Sequence, residues 1–448
     1  MRRGISIGRQ LTLAVLLTTV LCLGSVLSPS VANATAYYVA TTGNNGNSCS
    51  TATNPNGSAP RRTIAQGIAC LSAGDTLYIR QGTYVEQLRN WDGSVTFPAG
   101  TDWGSGVITI ASYPGETATL QGGIDMHETN SNNGVAPQYL IFDRLVIDGA
   151  GNPNSTANSG FNLVYLRTSH IRFSNSDIGN VNNDIMQLNL GAVDVQFINN
   201  KIHDAYVNFN NQPWPQCGNQ PCTLGGYGIY FGAASSLVDG NTFYNCTGYA
   251  LHFYSNGSTG VQNNVVRNNI FYNNYIDDGQ RGNSGSTIVL STGGNSLVYN
   301  NIIYNTPSAK HIYAIEEHDN DQIYNNTIYN NHGIGIFLYP GSSGVIVQNN
   351  LIYANERDDV VDQGSGGGII TNNLVGVNPQ FVNAPAGDFS LNAGSPAIDA
   401  GVMVSAVTTD IKGISRPQGA AYDIGAYEFT GSPPLPAPTN LRIVTVSP

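Results

Sequence analysis

Short runs in which apolar and polar positions alternate fill most of this chain, and Gly or Asn punctuates them. A period of two is the strand period, with one side chain facing in and the next facing out. The runs recur. "FDRLVIDGA" at Phe142 aligns with "FSNSDIGNV" at Phe173 and "FINNKIHDA" at Phe197. "VDGNTFYNC" at Val238, "VRNNIFYNN" at Val266 and "VYNNIIYNT" at Val298 follow, then "IYNNTIYNN" at Ile323, "VQNNLIYAN" at Val347 and "ITNNLVGVN" at Ile370. The spacings are 31, 24, 41, 28, 32, 25, 24 and 23 residues, a base period in the low twenties with insertions. Each unit holds three short runs. Such a unit cannot bury its inner face alone, so copies must stack. The expected architecture is all-β, a parallel β-helix with three strands per coil.

The Asn-Asn pairs at 199–200, 268–269, 300–301, 325–326, 349–350 and 372–373 fit the corners of such coils. One Asn can adopt the left-handed turn, and the other can hydrogen-bond along the stack. Six residues after the anchors come His203, Tyr244, Tyr272, Tyr304, Tyr329 and Tyr353. These should face outward and stack ring on ring; a platform for sugar rings is the alternative.

On these motifs the sequence resembles the right-handed parallel β-helix proteins of the pectate-lyase-like superfamily, over roughly residues 37–429. In "RTIAQGIACL", Ile64, Ile68 and Leu71 share one helical face, a short N-terminal capping helix for the open core. "LNAGSPAIDAG" with "TDIKGISRPQGAAYDIGAYEF" resembles the choice-of-anchor Q segment and reads as a closing cap. Asp399, Asp410, Arg416, Asp423 and Glu428 are expected to stabilise that cap. The expected layout is a leader at 1–36, cap and first coils at 37–130, repeats at 131–383, C-terminal cap at 384–429 and a Pro-rich tail at 430–448.

The leader has a basic start, an apolar stretch and "ANATA", so cleavage after Ala36 and a secreted or cell-surface location are expected. No later stretch suits a membrane span. Removing Arg2, Arg3 and Arg9 leaves 15 of 18 basic residues against 29 acidic ones, a balance of −14. That disfavours nucleic acid as a partner. A monomer is expected. Cys49 and Cys70 sit in one compact segment and are expected to pair. Among Cys217, Cys222 and Cys246, "CGNQPC" can close on itself or reach Cys246.

One strand breaks the pattern. "HIYAIEEHDN" puts Glu316, Glu317, His318 and Asp319 where neighbouring coils are apolar, aromatic or small. Matching the coils places Tyr165, Tyr230, His252, Val289, Glu316 and Phe337 in one outward column. Arg167, Gly232, Tyr254, Ser291, His318 and Tyr339 form the next. Glu316 and His252 are then two rungs apart, about 9–10 Å. Glu317 falls on an inward position, where burial raises a carboxyl pKa; a one-residue slip would exchange it with Glu316. Insertions supply Trp214, Asp277, Asp278, Arg281, Lys310 and His311 nearby.

Such a face suits a polysaccharide. The resemblance implies a polysaccharide lyase performing β-elimination on a uronic-acid-containing glycan. Arg281, Lys310 or a calcium ion on Asp277 and Asp278 would neutralise the substrate carboxylate. His252 or His318 would be the base, and a Tyr would protonate the leaving oxygen. Arg167, Trp214, Tyr230, Tyr254 and Tyr339 would bind substrate. A glycoside hydrolase is the alternative, with Glu316 or Glu317 paired with Asp319, Asp277 or Asp278. A non-catalytic glycan-binding surface protein, using the Tyr stripe, is the third reading.

Overall fold

The computed structural model describes residues 34–150, 162–181, 183–189, 191–205, 216–217, 220–221, 226–254, 260–275, 285–307, 311–364 and 368–431. Among them, three long parallel sheets hold twelve, eleven and ten strands. Each complete coil gives one strand to the twelve-stranded sheet A, one to the eleven-stranded sheet B and one to the ten-stranded sheet C. Leu237–Asp239, Thr242–Cys246 and Leu251–Phe253 form one coil. The next begins at Val265–Arg267, beside Leu237–Asp239. The fold is an all-β parallel β-helix.

The register follows the repeat. Phe142 pairs with Phe173, Phe173 with Phe197 and Phe197 with Val238. The column continues through Val266, Val298, Ile323, Val347 and Ile370. All but Ile370 are buried, and the Phe142, Phe173 and Phe197 rings stack at 5.0 and 5.8 Å. Alternation places these side chains inside, and stacking identical positions fills the core without a second layer.

The Asn pairs divide their labour at the corner between sheets A and B. Asn199, Asn268, Asn300, Asn325, Asn349 and Asn372 all take left-handed backbone, with φ between +50° and +58°. Their partners form an amide ladder. Asn200, Asn241, Asn269, Asn301, Asn326 and Asn350 each donate Nδ2 to the next coil's Oδ1 at 2.9–3.0 Å, ending at Asn373. Buried amides need such partners, since an orphan costs about 1–3 kcal/mol.

At the N-terminal end, helix Ile64–Ile68 puts Ile64, Ile68 and Leu71 into the main core. The Glu86 carboxylate accepts from the Ile64 and Ala65 amides at 2.8 and 3.0 Å, satisfying the helix start. Cys49 and Cys70 form a disulfide with Cα atoms 5.4 Å apart. Cys246 is a buried thiol. The side chain of Cys217 and all of Cys222 lie outside the described residues.

The C-terminal segment departs from the expected closing cap. It lies along the flank of the later coils. Phe389 and Ala426 pack on Ile302, Tyr304 and Tyr329 of sheet B, and Val404 and Val407 pack on Tyr299 and Tyr324 of sheet A. The left-handed Asn row holds it. Asn300 donates to the Thr409 carbonyl, Asn325 to that of Asp423 and Asn349 to that of Val402. Arg416 and Glu428 form a fully buried ion pair at 2.6 Å. The inward residues of the last coil, Val360, Ile370 and Val375, remain partly exposed.

The tyrosine stripe is a structural stack. His203, Tyr244 and Tyr272 stack at 4.7 and 5.2 Å. Further along, Phe389 lies against Tyr304 and Tyr329 at 4.9 and 5.6 Å. With Tyr304, Tyr329 and Tyr353 packed against the C-terminal segment, the stripe cannot serve as one continuous sugar platform.

Candidate functional site

The outer face of sheet C carries the charged strand. Tyr165, Gln187, Tyr230, His252, Val289, Glu316 and Phe337 occupy successive rungs of one column. Gln187, on Met186–Leu188, is a rung the repeat alignment skipped, so Tyr165 and Tyr230 are not neighbours. The second column runs Arg167, Asn189, Gly232, Tyr254, Ser291, His318 and Tyr339, each amide bonded to the preceding coil. Arg167 is therefore three rungs from Tyr254, and it pairs with Glu128 at 2.8 Å.

His252 is enclosed by four tyrosines. Its ring lies 4.7 Å from Tyr249, 5.2 Å from Tyr230, and 5.5 Å from both Tyr227 and Tyr254. Burial among these rings holds the imidazole pKa down to about 4, against the pull of Glu316, so the ring is neutral at neutral pH. Nδ1 is buried without a hydrogen-bond partner, and Nε2 lies 3.3 Å from the Ser291 hydroxyl. An N–H surrounded by aromatic rings is accommodated by their π faces. We assign the proton to Nδ1 on that ground, which leaves Nε2 as the basic nitrogen. Gly285 permits the close packing, because a Cβ there would meet the Tyr249 and Tyr275 rings.

Two rungs on, Glu316 accepts from the Ser286 hydroxyl at 2.7 Å and lies 3.0 Å from His318 Nε2. Burial pushes its carboxyl up, but these hydrogen bonds outweigh it and hold the pKa below the usual range. His318 stacks on Tyr339 at 4.2 Å, and Tyr339 is 43% exposed. The site therefore has an ionised carboxylate, a neutral imidazole and an open aromatic edge.

Glu317 takes no part in this face. It pairs with Leu290 and Leu338, is fully buried and points into the core. Glu317 takes the inward position expected of it, because Glu316 holds the outward position of the strand and period two sends its neighbour inside. The alternative of a one-residue slip, and with it a catalytic Glu317 facing the sugar, is not met. Burial raises the Glu317 carboxyl to about 8, and the Asp321 carboxylate adds repulsion. The amides of Asp319 and Asp321 favour its anion, but neither closes a hydrogen bond of normal geometry.

The model of the right handed beta helix region family matches residues 145–306 and 280–383. The chain belongs to this family. No curated protein matches it in sequence. Several solved β-helix structures resemble it. Pectate lyase Pel9A superposes with a TM-score of 0.59 at 16% identity, covering 89% of this chain and 98% of that one. A rhamnogalacturonan lyase gives 0.50 at 13%, covering 78% and 90%. A glycoside hydrolase gives 0.50 at 9%, covering 76% and 96%. At these identities the likeness is one of fold.

Of the residues expected at the site, this β-helix brings together His252, Glu316, His318, Tyr230, Tyr254 and Tyr339 on one face. His311 is buried and lies 3.1 Å from the Thr287 hydroxyl. Trp214, Asp277, Asp278, Arg281 and Lys310 lie outside the described residues. Among the described residues, no three His, Cys, Asp or Glu side chains converge as metal ligands, so the calcium expectation rests on Asp277 and Asp278. No helix among them is long and apolar enough to cross a membrane. Tyr227, Tyr249 and Ser286 were missed. "GYGIYF" and "GYALHF" carry a usable signal, since both place a Gly-Tyr pair ahead of the strand.

Proposed function

We propose that the outer face of sheet C, around His252 and Glu316, binds a uronic-acid-containing polysaccharide and cleaves it by β-elimination. The carrying observation is His252, a neutral imidazole caged by four tyrosines on the same face as an ionised carboxylate. His252 Nε2 takes the C5 proton. The C5–H electrons form the C4–C5 double bond, and the C4–O bond breaks. A tyrosine hydroxyl protonates the leaving oxygen. Burial raises the Tyr230 pKa, which keeps its hydroxyl a proton donor. An approaching uronate raises the basicity of His252 by Coulombic attraction to the imidazolium that forms. Arg281, Lys310 or calcium on Asp277 and Asp278 would neutralise the uronate carboxylate.

The competing hydrolase reading needs two carboxyls facing one sugar. Among the described residues of the sheet C strands from Ile229–Phe231 to Ile334–Leu338, Glu316 is the one outward carboxylate, which favours elimination. The four tyrosines also suit glycan binding without chemistry, and that is the second reading. We further read residues 1–36 as an export signal and 384–429 as a choice-of-anchor Q-like segment.

Incubation of residues 37–448 with acidic and neutral polysaccharides, with calcium or chelator, separates the readings. Ultraviolet absorbance of unsaturated uronides together with new reducing ends is expected. Reducing ends without absorbance would establish the hydrolase. Binding without either product would establish the glycan-binding protein.

A further inference from the structure

A second cluster lies on the same face of sheet C, toward the N-terminal end. Asp125 pairs with Tyr165, and the column runs through Gln187 and Tyr230 to His252. That is four rungs, or about 19 Å along the axis. Trp91 is 47% exposed there, and its indole N–H donates to Asp125 Oδ2 at 2.6 Å. The hydrogen bond fixes the indole. The Arg89 guanidinium sits over the ring at 5.8 Å, and the His127 ring lies 6.0 Å away. Polar capacity is left over. Both amide atoms of Gln87 are buried without hydrogen-bond partners, and the other Asp125 oxygen, Oδ1, lies 3.3 Å from His127 Nε2. Gln87 and Arg89 are the outward residues of Gln87–Arg89, one rung before Asp125.

We infer that Trp91, Gln87 and Asp125 form a distal subsite that stacks one sugar ring of the glycan whose reacting residue lies at His252. A fixed, half-exposed indole offers a flat apolar surface to a pyranose. The orphan Gln87 amide supplies a donor and an acceptor for sugar hydroxyls, and the Asp125 carboxylate beside His127 supplies a further acceptor. The intervening outward residues, Tyr165, Gln187 and Tyr230, give the chain a polar and aromatic path between the two ends. This inference deepens the proposed function and rests on it for the position of the reacting sugar.

The test is affinity electrophoresis through polysaccharide-containing gels, paired with cleavage of the polymer and of short oligosaccharides. Wild type, Trp91→Ala, Trp91→Phe and His252→Ala are compared, with Tm confirming that each is folded. Trp91→Ala is expected to weaken polymer binding about tenfold, the loss of one aromatic anchor. It should leave the cleavage of short fragments unchanged, and Trp91→Phe should keep most of the binding. If Trp91→Ala is retained like wild type in a gel that does retain wild type, the subsite is wrong and the His252 site stands. If no glycan retains the wild-type protein and none is cleaved, both fall.

Discussion

The Nε2 atom of His318 lies 3.0 Å from Oε1 of Glu316, and both side chains stand on the outer face of sheet C. Ser286 holds the other Glu316 oxygen. Glu316 is thereby fixed as an anion two rungs from His252. Glu316→Gln keeps the shape and removes the charge. Under the elimination reading the lost anion no longer raises the basicity of His252, so kcat/KM should fall about tenfold, with glycan retention largely kept. His318→Ala should produce a smaller loss, because Ser286 still orients the carboxylate. Steady-state kinetics on the best substrate decides it. Unchanged turnover in Glu316→Gln would remove this carboxylate from the chemistry.

His252 sets the acid limb of the pH profile. Burial among the tyrosines keeps its pKa near about 4, so the basic form is already complete at weakly acidic pH. We expect kcat/KM to rise through about pH 4 and then stay level until a tyrosine begins to ionise. Tyr230, raised by burial, places that second limb above the usual tyrosine range of about 10. A profile from pH 3.5 to 10.5 checks this. An acid limb abolished in His318→Ala but kept in His252→Ala would assign the base to His318.

The coils were legible because the constraint repeats. Each anchor from Phe142 to Ile370 must face the same core, so a period of two nested in a period of about twenty-four marks it unambiguously. The strand register, and with it the neighbours of His252 and the outward place of Glu316, followed from that count. Two features escaped. The segment after residue 384 has no repeat to align, and its contacts are with left-handed Asn residues that any corner would carry. The tyrosine cage escaped because Tyr227 and Tyr249 precede their strands, where alternation no longer says which way a side chain points.

His203 ties stability to pH. Nδ1 contacts Asp204 at 2.6 Å and Nε2 contacts Asp177 at 2.7 Å, so both nitrogens act as donors. Burial pulls the imidazole pKa down, but the two carboxylates outweigh it and raise it to about 9. The folded pKa exceeds the unfolded value of 6.5, so this stabilisation is complete below about pH 6.5 and disappears as pH rises through 9. His203→Ala should cost about 2 kcal/mol at pH 6. The difference in Tm from wild type should shrink between pH 7 and 10.

Arg416 holds the C-terminal segment together. Its guanidinium reaches Glu428 at 2.6 Å and the carbonyls of Asp423 and Gly425 at 3.0 and 2.8 Å. Both charged side chains are fully buried. Arg416→Ala strands the Glu428 charge, which should cost about 3–5 kcal/mol. The loss should be local, since the coils keep their own Asn ladder. Limited proteolysis is expected to cut the variant after residue 384 while the repeats stay protected. Cleavage spread evenly through the coils would show that the segment and the solenoid unfold as one unit.

Glu317 should make the protein more stable when it is replaced, and increasingly so as pH rises. Its carboxyl lies in the core between Leu290 and Leu338, raised to about 8 by burial. Asp321, raised to about 7 chiefly by burial, accepts the Ser296 amide at 2.7 Å. In the unfolded chain Glu317 ionises near 4.3. Between that value and about 8 the folded state binds the extra proton, so folding free energy is lost steadily with rising pH. Above about 8 the penalty is complete. Glu317→Gln removes the ionisation and keeps the volume. Its Tm should match wild type near pH 4 and exceed it by a margin that grows to pH 8 and then levels. A constant difference across that range would mean that the carboxyl is already ionised and solvated at low pH.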